Sequence, residues 1–431
     1  MNDTKPQTQP EPEKKDAGKI FLEEVTAGPP KHLPRWRRTL RSAAVPLLAI
    51  FTGLVLGGVI IALTSEEVWQ AFSVSFLAGL KAAWQSVAEA YSALLKGAFG
   101  SPSQMMAAFT SGDPKQIYVA LYPFTESLLA TIPYIFAGLA VALGFRSGLF
   151  NIGAEGQIFL GAIFAAFVGY SITGLPMIIH IPLAFLAGAL GGGLWGFIPG
   201  WLKAKTGGHE VINTIMMNYI AFRLSDWLLT GPMKRPDSFN PISPTIMDSA
   251  MLPKFFGDPV RLHGGIIIAL GMAWLVNWFL FKTKWGFNLR TSGTNPRAAK
   301  YAGINVPNSI ILAMFLSGAL AGMAGGNEVL GVNYNLAMAF SSGYGFDAIA
   351  IALLANSQPL GVVLAALLFG FLRNGATNMM LQTGIPIDII SVIQAFILVF
   401  VAAPAIIRTI YRLKKPAEAE EAVVAPSWGG G

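Results

Sequence analysis

Asn151, Glu155 and Gln157 lie close together in the run Phe150-Asn-Ile-Gly-Ala-Glu-Gly-Gln157. Their amide and carboxylate groups are suited to hydrogen-bonding a polar solute. Apolar runs flank them at 127–145 and 158–172, so the polar groups stand near or at the edge of a membrane. Hydrocarbon offers no hydrogen-bond partner, so irregular backbone survives at that depth only where protein buries it or where it lines a cavity. Two roles are open: groups of a substrate pathway at an interrupted helix, or caps of helix ends in a tight cytoplasmic turn. His209-Glu210 raises zinc-hydrolase chemistry, but the histidine needed four residues after the first is Asn213. The chain has no cysteine, which removes thiolate metal sites, disulfides and a cysteine nucleophile.

The elements that must position these groups are set by composition. Of 431 residues, 53% are hydrophobic and 12% charged, against about 25% charged in an ordinary soluble chain. Several apolar runs reach the roughly 20 residues that cross a bilayer, so the chain is a polytopic, all-α membrane protein. The net charge of +7 does not point to nucleic acid. Its basic residues gather at the ends of apolar runs, where cytoplasmic charge belongs.

Residues 1–33 are polar and charged, a disordered cytoplasmic tail by composition; 34–415 form the membrane domain and 416–431 a flexible cytoplasmic tail. Arg35, Arg37, Arg38 and Arg41 precede a first span at about 43–63. Residues 68–115 read as an amphipathic, loop-like segment outside or along the interface. Further spans fall at about 127–143, 158–172, 176–202, 216–229, 264–281 and 310–326. A short apolar piece at 348–355 and runs at 359–372 and 387–407 complete ten, with both termini cytoplasmic. Gly188, Gly192, Gly196 and Gly200 recur every fourth residue, and Gly318, Gly322 and Gly326 repeat the device. On a helix such a row forms a groove that lets another backbone approach. The 348–355 piece, followed by Asn356-Ser357-Gln358-Pro359, is a second broken element in the second half. Paired breaks of this kind point to a transporter.

Two stretches on the basic side could dock a cytoplasmic partner. One, 203–218, reads as a short polar helix leading into a span, and an ordinary connector is equally open to it. The other is 293–303, where Asn295-Pro296 starts a short helix closed by Gly303.

The runs at 148–157, 209–221, 293–303 and Gly343-Tyr-Gly-Phe-Asp347-Ala-Ile-Ala look like the membrane permeases of ABC importers. They resemble the nucleoside and simple-sugar subfamily, related to ribose and branched-chain amino acid permeases, over about 95–408. The resemblance implies a type II importer subunit in the cytoplasmic membrane, with partners that are an ABC ATPase, a second permease (homologous or identical) and an extracytoplasmic solute-binding protein. This chain would bind no cofactor; ATP and Mg would be used by the partner ATPase. In agreement, the Walker A loop needs Gly-Lys-Ser/Thr, and the single Gly-Lys pair, Gly18-Lys19, is followed by Ile20. The resemblance makes 203–218 a coupling region, with Lys205, His209, Glu210, Asn213 and Asn218, and adds Asn295 and Arg297 from the second stretch. For the substrate pathway it selects Asn151, Glu155 and Gln157, with Phe150 as a stacking face for a base or sugar ring, then Asp347 and Asn374. Nucleosides are the expected cargo and a sugar such as ribose the alternative. Asn356–Pro359 departs from the family pattern, which more often has glycine there. An ion-coupled transporter would carry acids in mid-span, whereas here they cluster near span ends. No pore-lining repeat and no catalytic constellation supports a channel or an enzyme.

Overall fold

The computed structural model describes residues 35–412, and the tails read at 1–33 and 416–431 lie outside the described residues. The chain divides into two units, Met1–Val45 and Pro46–Gly431, and every candidate site residue belongs to the second. In chain order the helices are α1 (Arg35–Thr64), α2 (Glu66–Val74), α3 (Phe76–Phe99), α4 (Pro102–Ser111), α5 (Pro114–Arg146), α6 (Ala154–Ser171), α7 (Met177–Thr206) and α8 (Glu210–Thr230). There follow α9 (Gly265–Lys282), α10 (Lys284–Thr294), α11 (Pro296–Tyr301), α12 (Val306–Asn327), α13 (Tyr344–Leu354), α14 (Pro359–Thr383), α15 (Asp388–Ala402) and α16 (Pro404–Ile410). Among the described residues the extended pairing amounts to two isolated bridges, Ile242 with Ala337 and Lys254 with His263.

Among the described residues, seven helices are long and apolar enough to cross a membrane: α1, α5, α6, α7, α9, α12 continued by the π-helical turn Glu328–Asn333, and α14. Of the ten expected spans, α13 and α15 are shorter apolar helices. The remaining one, α8, is long enough, but Asn213, Asn218, Arg223 and Asp226 keep it outside the apolar set.

The reading of 68–115 as loop-like is corrected. Most of it is helical, and α3 packs on α14 through Ala90, Ala93, Leu94, Gly97 and Ala98. That spacing is one helical face. Lys81, Glu89 and Lys96 on the other faces lower the average hydropathy that made it resemble a loop.

Helix α5 is the centre of the bundle. Its apolar window is 83% buried, against 28% for α9, and a helix apolar all round belongs inside. The glycine rows do what their spacing predicts, because α7 and α12 pack backbone to backbone. A Cβ on Gly192 would stand 2.6 Å from Gly322 Cα, and one on Gly188 would stand 3.3 Å from Gly322 O. The loop between α8 and α9 closes over the π-helical turn, with Leu252 N donating to Leu330 O (2.9 Å) and Ile246 N to Tyr334 O (2.9 Å).

Candidate functional site

The Phe150 stretch is a buried connector between α5 and α6. Helix α5 ends where Leu149 N returns to Gly144 O (2.9 Å) and Gly148 turns into the left-handed region at φ 69°. That backbone rests on Gly293: a Cβ on Gly148 would stand 2.6 Å from Gly293 Cα. Gly293 opens the second basic stretch, so the connector touches the end of α10 directly. Phe150 stacks obliquely on Phe145, with centroids 5.0 Å apart.

Asn151 is 1% exposed and its side chain is fully engaged. Its Nδ2 donates to Gln157 Oε1 (2.8 Å) and to Ser317 Oγ on α12 (2.8 Å), while its Oδ1 accepts from Gly153 N (3.0 Å) and Gln157 Nε2 (3.2 Å). Two donors and two lone pairs are all an amide has. Ser317 passes the chain on, donating to Ala140 O on α5 (2.7 Å). In this conformation every hydrogen-bonding site of the Asn151 side chain is taken up within the chain.

Glu155 lies in the first turn of α6, 3% exposed, and its Oε2 accepts from Gly345 N (2.6 Å) at the N-terminus of α13. The two broken elements therefore meet. At the far end of α13, Arg146 donates from Nε to Ser357 O (3.0 Å) and from Nη2 to Asn356 O (2.9 Å). Asn356 and Ser357 both adopt φ 52°, and their carbonyls meet that guanidinium. Asp347, in the first turn of α13, accepts from Tyr134 Oη of α5 (2.9 Å), and Tyr344 meets Tyr134 edge to face at 5.2 Å.

Asn374 does not join this group. Its Nδ2 lies within 3.0 Å of Gly97 O, Pro123 O and Ser127 Oγ, tying α14 to α3 and α5.

The coupling stretch is also redistributed. There is no separate short helix at 203–218: α7 runs to Thr206, Gly207 turns at φ 71°, and α8 continues from Glu210 into the bundle. Lys205 and His209 are exposed and Asn213 is half-buried. Glu210 is buried and pairs with Lys203 (2.5 Å). Asn218, two turns further in, is 2% exposed; it accepts from Gly156 N (2.8 Å) and donates to Ile152 O (3.0 Å), holding the connector from the other side. In this conformation both of its amide atoms are taken up inside the chain. The second stretch is as expected: Asn295 caps α11 through Ala298 N (3.0 Å), Gly303 closes it, and Asn295 and Arg297 are exposed.

A further polar cluster was not singled out by sequence reasoning. Asn327, fully buried where α12 passes into the π turn, has neither amide atom hydrogen-bonded, and buried His263 lacks a partner at Nε2. Gly265 faces both side chains. Burial lowers the His263 pKa to about 4. Beside it Glu126 and Arg261 form an ion pair, which raises the Arg261 pKa further. Glu328 follows Asn327 and is buried. The sequence signal was the run Gly325-Gly326-Asn327-Glu328, polar at the end of an apolar helix.

Residues 124–402 match the model of the family described as branched-chain amino acid transport system / permease component. The chain is 44% identical over 306 residues to the guanosine ABC transporter permease protein NupP of Bacillus subtilis, covering 69% of this chain and 86% of that one. It is 35% identical over 305 residues to the nucleoside ABC transporter permease protein NupB of Lactococcus lactis, covering 69% and 84%. It is 30% identical over 386 residues to the glucose ABC transporter permease protein TsgB13 of Haloferax volcanii, covering 88% and 90%. No solved structure matches the chain. With its matched segment spanning most of the helical bundle, the chain belongs to this family of ABC transporter permeases.

Proposed function

We propose that this permease carries nucleosides inward across the cytoplasmic membrane as one subunit of an ATP-driven importer. The chain is a non-catalytic permease component, and ATPase and binding-protein partners go with that class. The observation that carries the cargo is the 44% identity to a guanosine permease, joined by 35% to a nucleoside permease. The runner-up is a simple sugar, favoured by the 30% identity to a glucose permease over a longer stretch.

In this reading residues 34–415 are the permease body, both termini are cytoplasmic, and a second permease completes the pathway. The exposed residues Lys205, His209, Asn295 and Arg297 receive the ATPase. Movement there reaches the connector by two direct contacts, Gly293 on Gly148 and α8 through Asn218. The connector in turn holds α13 by Glu155, so ATP-driven displacement of the loops shifts the second broken element. Cargo passes when this interlock opens and exposes the amides and carboxylates that the resting state keeps paired.

The cargo test is uptake of a labelled nucleoside by cells expressing the chain with its transporter partners, competed by unlabelled nucleosides, ribose, glucose and branched-chain amino acids. Competition by nucleosides alone supports the reading. Competition by sugars alone transfers it to the runner-up.

A further inference from the structure

Helices α1, α3 and α14 enclose a groove of about 1510 Å³ that is lined almost wholly by apolar side chains, among them Phe51, Val55, Trp84, Val87, Leu368 and Phe371. It exceeds the roughly 300–1,000 Å³ of sites built for compact small molecules. It also lacks the few convergent polar groups that would orient such a cargo. The groove runs on into a smaller one of about 540 Å³, sharing Ala88, Tyr91, Leu95 and Phe99 with it, where Ser92 and Lys96 supply polar groups. Lys96 is exposed and makes no ion pair among the described residues.

An apolar trough that ends in a cation has the polarity of one phospholipid. We propose that the groove is a phospholipid site, with acyl chains lying between α1, α3 and α14 and the phosphate at Lys96. The small side chains Gly58, Ala62, Ala83 and Ala88 make the room. The lipid fills the space beneath α3 and holds it to the bundle, beside the Asn374 contacts that already tie α3 to α14.

The test uses the purified transporter complex titrated with phosphatidylglycerol and, separately, phosphatidylcholine, with bound lipid counted by native mass spectrometry. Lys96→Gln is expected to weaken phosphatidylglycerol binding about fivefold, the worth of one lysine toward an anionic headgroup, and to leave the apolar site in place. Ala88→Trp, which fills the junction of the two grooves, is expected to abolish retention of both lipids. A photoreactive p-benzoylphenylalanine in place of Leu80, on the groove wall, is expected to crosslink to lipid. Lipid binding unchanged in both variants overturns the proposal, and so does crosslinking from position 80 to a protein chain. Assembly of each variant with its ATPase at the wild-type level excludes loss by misfolding.

Discussion

Arg146 and Glu155, on either side of the first break, hold opposite ends of the same helix of the second break. The guanidinium faces the carbonyls beyond the C-terminus of α13 and the carboxylate faces its N-terminal amide. A helix carries partial positive charge at its N-terminus and partial negative charge at its C-terminus, so each side chain has the favoured sign. An 11-residue helix gains little from its own hydrogen bonds. Its position therefore depends on tertiary contacts: the packing of Ala348, Ile351 and Ala352, and these two clamps with Tyr134, all three of which belong to α5 and α6.

Glu155→Gln keeps an oxygen for Gly345 N but loses the charge. The variant complex is expected to assemble, to melt lower by about 1–2 kcal/mol equivalent, and to transport less. Arg146→Ala should act in the same direction. Because both grip α13, a double-mutant cycle on uptake should be non-additive; strict additivity would show that the clamps work separately.

Asn151→Ala removes four hydrogen bonds and leaves Ser317, Gln157 and Gly153 N buried without this partner. Unpaired buried groups cost about 1–3 kcal/mol each. A large fall in thermal stability in detergent is therefore expected, along with reduced protein in the membrane. Normal stability with altered cargo preference would instead make Asn151 a cargo contact.

Gly192→Leu should prevent accumulation of the protein, since even a Cβ would meet the backbone of Gly322. Gly271→Ala on α9, where a Cβ meets nothing within 4 Å, is the control. It is expected to be neutral or stabilising by up to about 1 kcal/mol, read as membrane protein yield and melting temperature.

Arg297→Glu is exposed and outside the hydrogen-bond network, so insertion and stability should be unchanged while ATPase stimulation and uptake fall together. Glu210→Ala acts differently, because it leaves Lys203 without its partner. Lower stability is expected there before any effect on docking.

His263 is buried and neutral, its pKa lowered from 6.5 to about 4. The unfolded chain binds the proton first, so stability is complete above about pH 6.5 and falls as pH drops from there toward 4. The loss is up to about 3 kcal/mol by linkage. His263→Gln should flatten that slope in a pH series of melting temperatures.

The glycine rows were legible because a fourfold repeat of Gly on one helix face has few uses besides close packing. The polar run at 150–157 was legible as an anomaly, polar residues between apolar spans. Its partners were not: Ser317 and Gly345 lie far along the chain, and no local pattern announces a tertiary hydrogen bond. Asn218 was read by its neighbours as part of a docking surface, yet helical phase turns it to the inside. Helix α3 escaped because its apolar stripe is alanine and glycine, small residues that score weakly beside three charges. Asn327 and His263 carried no spacing signature, and their meeting at Gly265 is visible only in three dimensions.

Proteoliposomes holding the permease and its ATPase put ATP-driven movement of nucleosides to the test. Labelled nucleoside presented with the solute-binding protein should accumulate when ATP is supplied to the ATPase side, and an ATPase-inactive complex should show background uptake. Equal accumulation with and without ATP hydrolysis would overturn ATP-driven import and point to ion-coupled transport.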